Sequence, residues 1–180
     1  MRKNVVLTGV GRDRVGIVAK LSSVLYDIGC NLLDSSMTLL RGEFAVILMA
    51  QLPEGSSIEE LQEKLKAAEE ELEMNVYVRE LKDDELEEEP EDETAYIISV
   101  YGADRPGIVY GVTQELARLK VNLTDVETKK TSASKPIFYM VLEVTLPNGM
   151  KESQLKKELK RKAEELDVDI SVQAVEYMEI

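Results

Sequence analysis

The sequence predicts an α+β protein made of two ferredoxin-like βαββαβ plaits, each an antiparallel sheet with two helices on one face. Three observations predict it: an internal repeat, hydrophobic periods that alternate between strand and helix within each copy, and an acidic stretch between the copies. Residues 5–18 match residues 96–109 at an offset of 91, sharing the pattern Gly-x-Asp-Arg-x-Gly-Ile-Val. The same offset aligns Asn31-Leu32 with Asn122-Leu123 and Asp34 with Asp125. Further on the offset becomes 94, which aligns Pro53 and Gly55 with Pro147 and Gly149, and Leu61, Leu65 and Leu72 with Leu155, Leu159 and Leu166. Similarity carried through this many elements indicates duplication. The three extra residues fall in 131–136 (TSASKP), which reads as a longer turn.

Period and punctuation then assign the elements. Residues 4–10 form a β-branched strand. A helix opens at Asp13 and runs to about Asp27, with Ile17, Val18, Leu21, Val24, Leu25 and Ile28 at helical spacing. Gly29 ends it in a position suited to left-handed backbone. Residues 31–40 and 43–52 are strands about a tight turn at Arg41-Gly42. Ser57 caps the next helix, which runs to about Glu73, and Glu60 three residues on suggests a capping box. Residues 75–81 close the unit. The second copy repeats this over 95–101, 104–119, 122–130, 137–146, 151–166 and 168–177. Right-handed crossovers give the strand order fourth-first-third-second, leaving the fourth and second strands as open edges. The expected domains are 1–81 and 95–180, joined by an acidic linker, 82–94, whose charges repel and extend it.

Composition narrows the function. The net charge is −13, of which −8 sits in residues 82–94, while the flanking segments carry −4 and −1. No basic field is available for phosphates, so direct nucleic-acid binding is not expected. An RNA-binding sheet face would need exposed aromatics, for which Tyr96 and Tyr139 are the candidates. The absence of histidine removes the commonest general base and neutral metal ligand. With one cysteine besides, no zinc site, cofactor or disulfide is expected. Cys30 aligns with Val121 and reads as a small core residue. The longest apolar run, 44–50, is too short for a bilayer, and the N-terminal segment lacks signal-peptide form, so no membrane association and a cytoplasmic location are expected.

The first strand-to-helix turn of each copy is the candidate binding site. A free amino acid presents a carboxylate that needs donors and an ammonium that needs an acceptor. Gly11 and Gly102 would let the chain turn and expose N–H groups. The following helix start offers unpaired N–H groups and a positive dipole end, and Asp13 and Asp104 stand beside it as acceptors. Gly16 and Gly107 keep the approach clear. Each assignment has a structural alternative: Asp13 and Asp104 as helix caps, Gly16 and Gly107 as helix–sheet packing positions, Arg14 and Arg105 as solvated surface residues, Asn31 and Asn122 as polar strand starts.

A plait whose first turn reads Gly-x-Asp-Arg-x-Gly-Ile-Val, followed about 18 residues later by Asn-Leu opening the second strand, resembles the ACT domain. The second copy, with Asp104-Arg105-Pro106-Gly107-Ile108, matches the family form more closely than the first, where Val15 replaces the proline. Two such copies without an attached enzyme resemble the glycine cleavage system transcriptional repressor group. The resemblance implies a non-enzymatic regulator that binds a free amino acid at domain interfaces, acts on a partner protein in control of amino-acid metabolism, and forms a homo-oligomer. The implied binding residues are Gly11, Arg12, Asp13, Gly16, Asn31 and Leu32 in the first copy. Gly102, Ala103, Asp104, Gly107, Asn122 and Leu123 are their counterparts in the second. Asn31 and Asn122 open the second strands at the end opposite the turns, so paired second-strand edges would bring an Asp of one domain to an Asn of another. The alternative function is a ligand-independent scaffold. Acyl-phosphate hydrolysis, which some plaits perform, needs an arginine cradle, and Arg12 is replaced by Ala103 in the second copy.

Overall fold

A computed structural model describes residues 2–82, 94–132, 134 and 136–175. The acidic segment 83–93 and residues 176–180 lie outside the described residues, as do the last two positions of the strand expected over 168–177. The chain divides into two units, Met1–Glu89 and Pro90–Ile180.

The first unit runs β1 (Lys3–Arg12), α1 (Ile17–Ile28), β2 (Asn31–Leu40), β3 (Glu43–Leu52), α2 (Ile58–Leu72) and β4 (Met74–Leu81). The second runs β5 (Ala95–Ala103), α3 (Ile108–Arg118), β6 (Asn122–Lys130), β7 (Ile137–Thr145), α4 (Glu152–Leu166) and β8 (Asp169–Ala174). The sheet orders are β2-β3-β1-β4 and β6-β7-β5-β8, all antiparallel, as the plait requires. Period-2 burial on β3 (Phe44, Val46, Leu48, Ala50, Leu52) turns one sheet face to the helices. Leu21, Leu61 and Leu65 close that core from the helix side, and Val112, Leu155 and Leu159 do so in the second unit. Cys30 packs at the margin of the first core, and burial pushes its thiol pKa up. Tyr96 also packs against its core, so the aromatics exposed on the open face of the second sheet are Tyr101 and Tyr139, which pair across β5 and β7.

Local chemistry fixes the ends. Arg41 and Gly42, at φ 52° and 88°, make the tight β2–β3 turn, and Gly29 ends α1 at φ 82°. Ser57 caps α2 by accepting from the Glu60 amide at 3.1 Å, while the Glu60 carboxylate turns to Lys64 instead of closing the box.

Both first helices start later than the sequence suggests. α1 begins at Ile17 and α3 at Ile108, each behind a left-handed glycine, Gly16 (φ 99°) or Gly107 (φ 97°), with no side-chain cap. Asp13 and Asp104 therefore do not cap these helices. A Cβ at either N-cap glycine would meet nothing within 4 Å, so the backbone conformation, not helix–sheet packing, calls for glycine there. Close packing falls on Gly11 and Gly102, which are strand residues and not turn residues. A Cβ on Gly11 would lie 2.5 Å from Met74 Cβ, and one on Gly102 2.8 Å from Val168 Cγ1.

Candidate functional site in the strand-to-helix turns

Each β1–α1-type turn is held at both sides. The Asp13 amide donates to the Gly42 carbonyl at 2.8 Å, and the Asp104 amide to the Pro136 carbonyl at 3.1 Å, tying the turn to the neighbouring hairpin. The arginine that follows reaches the other way. Arg105 donates to the Leu166 and Asp167 carbonyls at 3.0 and 2.9 Å and pairs with the Asp167 carboxylate at 2.9 Å, covering acceptors at the end of α4. Arg14 does the same for α2 through the Glu71 carbonyl and the Glu73 carboxylate. Arg14 and Arg105 are thus anchors, not free surface charges. Their shared place after the aspartate was visible in the repeat, but their target, about 60 residues on, was not.

With the arginines engaged and no side chain on the N-caps, the first-turn amides of α1 and α3 lack side-chain partners. In the second unit this helix start opens onto a cavity of about 590 Å³ lined by Asp104, Arg105, Gly107, Val109, Tyr110 and Phe138, among others. Asp104 stands at its edge, partly buried and ion-paired to Lys130 of β6. Asp13 is exposed, and no ion pair reaches it among the described residues. Position 39, the counterpart of Lys130, is a leucine, so the two turns present different charges. Arg12 and Ala103 end β1 and β5 beside these turns, both exposed.

The Asn-Leu pairs lie elsewhere. Asn31 and Leu32 face Gln51 and Ala50 of β3, whereas Arg12 faces Glu43 at the strand's other end. Eight residue steps along β3 amount to roughly 27 Å. Asn122 and Leu123 face Thr145 and Val144, and Ala103 faces Ile137. Within one unit the aspartate and the asparagine are therefore not brought together. Every residue of β2 and β6 is exposed.

The ACT-domain model matches residues 3–79 and 94–173, one match for each plait, so the chain belongs to the ACT-domain family. A UPF0237 protein of Methanopyrus kandleri is 44% identical over 75 residues, which cover 41% of this chain and 83% of that protein. An unknown protein of Galdieria sulphuraria has a solved structure that superimposes with a TM-score of 0.80 at 29% identity, covering 97% of this chain and 99% of that one. The structure of a candidate glycine cleavage system transcriptional repressor reaches a TM-score of 0.77 at 19% identity, covering 98% and 99%, a likeness of fold. Among the described residues, no helix is long and apolar enough to cross a membrane.

Proposed function

We propose that this protein is a non-enzymatic regulator that binds a free amino acid at its strand-to-helix turns and alters the activity of a partner protein, in control of amino-acid metabolism. The observation that carries the reading is the same arrangement in both repeats: a helix start left open by a left-handed glycine, with a carboxylate beside it and the adjacent arginine occupied. First-turn amides and the helix dipole suit a carboxylate, and the aspartate suits an ammonium. Gly11, Arg12, Asp13 and Gly16, and Gly102, Ala103, Asp104 and Gly107, would contribute to these two turns. Asn31-Leu32 and Asn122-Leu123 would complete the site of a second ACT unit paired edge to edge. The repressor-like neighbour supports a role in transcriptional control, acting through a protein and not through DNA contacts of its own. Binding energy would favour one arrangement of paired units, which the partner reads.

Thermal melting of the full chain with each of the twenty amino acids at millimolar concentration tests this. A ligand present at about 100 times its dissociation constant adds roughly 2.7 kcal/mol and raises the midpoint clearly. Asp104→Ala should weaken that shift while leaving the ligand-free melt nearly unchanged. A flat response to the whole panel would favour the ligand-independent scaffold.

A further inference from the structure

The two strand-to-helix turns share a backbone but not the wall beside it. In the second unit the cavity of about 590 Å³ is walled by Val109, Tyr110 and Phe138, and its charged members are Asp104 and Arg105. Both charges are engaged. Arg105 is held by the Leu166 and Asp167 carbonyls and the Asp167 carboxylate. Asp104 pairs with Lys130 through Oδ2, which leaves Oδ1 to a ligand. The wall is fixed in place: Phe138 packs against the core, and the exposed Tyr110 is tied along its helix, its hydroxyl accepting from Gln114 Nε2 at 2.8 Å. The first unit differs at two of these places. Ala19 stands where the second has Tyr110, and Phe44, which faces Gly11 as Phe138 faces Gly102, is buried.

We infer that the second turn selects amino acids with a large apolar side chain, such as leucine or phenylalanine, and that Tyr110 is its specificity-determining residue. The inference rests on the reading of the turns as amino-acid sites and names the class that one of them takes. With the ligand's carboxylate at the first-turn amides of α3 and its ammonium at Asp104 Oδ1, the side chain meets the wall of Val109, Tyr110 and Phe138. The cavity has the volume of a small-molecule pocket. Each methylene taken from water there raises affinity by up to about fourfold, and stacking on the tyrosine ring adds to this for an aromatic ligand. Glycine gains neither. A charged or amide side chain gives up its water and finds Arg105 held by Asp167 and Asp104 shared between Lys130 and the ligand's own ammonium. The first turn, with Ala19, offers no ring and discriminates less.

The test is an affinity ranking of leucine, phenylalanine, glycine, serine and glutamate on the full chain, read at the Gly107 and Val109 amides by NMR titration. Leucine or phenylalanine should bind about tenfold or more tightly than glycine, serine and glutamate. Tyr110→Ala copies the first repeat at an exposed helical position, and thermal melting checks that it folds. It should weaken leucine and phenylalanine about fivefold or more and glycine less than twofold, so that the preference narrows. Tyr110→Phe keeps the ring and should restore the preference. Tightest binding of glycine, serine or glutamate overturns the inference while leaving the amino-acid site standing. So does a Tyr110→Ala variant that weakens all five alike, or none. A titration in which none of the five moves these amides overturns the inference together with the reading beneath it.

Discussion

Where α1 meets α2, the first repeat buries Val24; at the matching place in the second, Glu115 is 4% exposed and holds two arginines. Arg118 donates to both of its carboxylate oxygens at 2.6 and 3.2 Å, and Arg161 reaches across from α4 at 3.0 Å. Glu158 adds a second carboxylate to Arg118 at 2.8 Å. The corresponding residues of the first unit are Asp27, Ala67 and Lys64, so neither arginine has a counterpart there, and the lysine is paired with Glu60. The same seam is thus closed by an apolar contact in one copy and by a charge clamp in the other. A buried carboxylate is tolerated only where it comes with its cations. What the copies keep in common is the aliphatic frame, the close-packed strand glycine and the arginine that anchors the turn.

That comparison can be broken most severely by moving the charge without its partners. Val24→Glu should cost roughly 3–5 kcal/mol, measured by denaturant unfolding, because the carboxylate would be buried where Asp27 and Ala67 stand in place of the two arginines. Next come the strand glycines. Gly11→Ala should cost about 1–3 kcal/mol, and more than Gly102→Ala. The added methyl meets the Met74 backbone at 2.9 Å in the first case, whereas in the second the nearest obstacle is the Val168 side chain. Arg105→Ala should cost about 1 kcal/mol and loosen the end of α4, since its bonds lie in a half-exposed setting. Arg14→Ala should cost less, because its bond to the Glu71 carbonyl is longer, at 3.4 Å.

The smallest effect at neutral pH belongs to Glu115→Val, which copies the first repeat and should change stability by less than about 1 kcal/mol. Its signature is acid resistance. The hydrogen bond from Arg118, with the charges of Arg118 and Arg161, holds the Glu115 carboxyl below its ordinary 4.5 despite the opposing effect of burial. A carboxyl lowered in the folded state binds its proton more readily when unfolded. The clamp's contribution is therefore present above the ordinary value and is lost as pH falls through the folded one. Acid titrations of unfolding should show this loss in the wild type and not in Glu115→Val.

Most of the fold was legible because it follows from periodicity and from two copies confirming each other. The strand order, the Arg41-Gly42 turn, the Ser57 cap and the Gly29 stop rest on near neighbours in sequence, where local rules hold. The helix starts were misread because Asp13 and Asp104 have good capping chemistry, and only the tertiary ties to Gly42 and Pro136 carry the chain past them before the helix begins. Gly11 was read as a turn residue for the same reason; its requirement comes from Met74, 63 positions away. In the candidate site, the glycines and aspartates could be picked out by repetition. The role of the arginines and the Lys130–Asp104 pair could not, since each depends on an element distant in sequence.

The measurement that bears most directly on the account is an amide-resolved NMR titration of the full chain with the same amino-acid panel. The account predicts that one amino acid shifts the amides of Gly107, Ile108 and Val109, those of Gly16, Ile17 and Val18, or both sets, ahead of all others. Shifts confined to surfaces away from these turns, or no shifts with any amino acid, would contradict it.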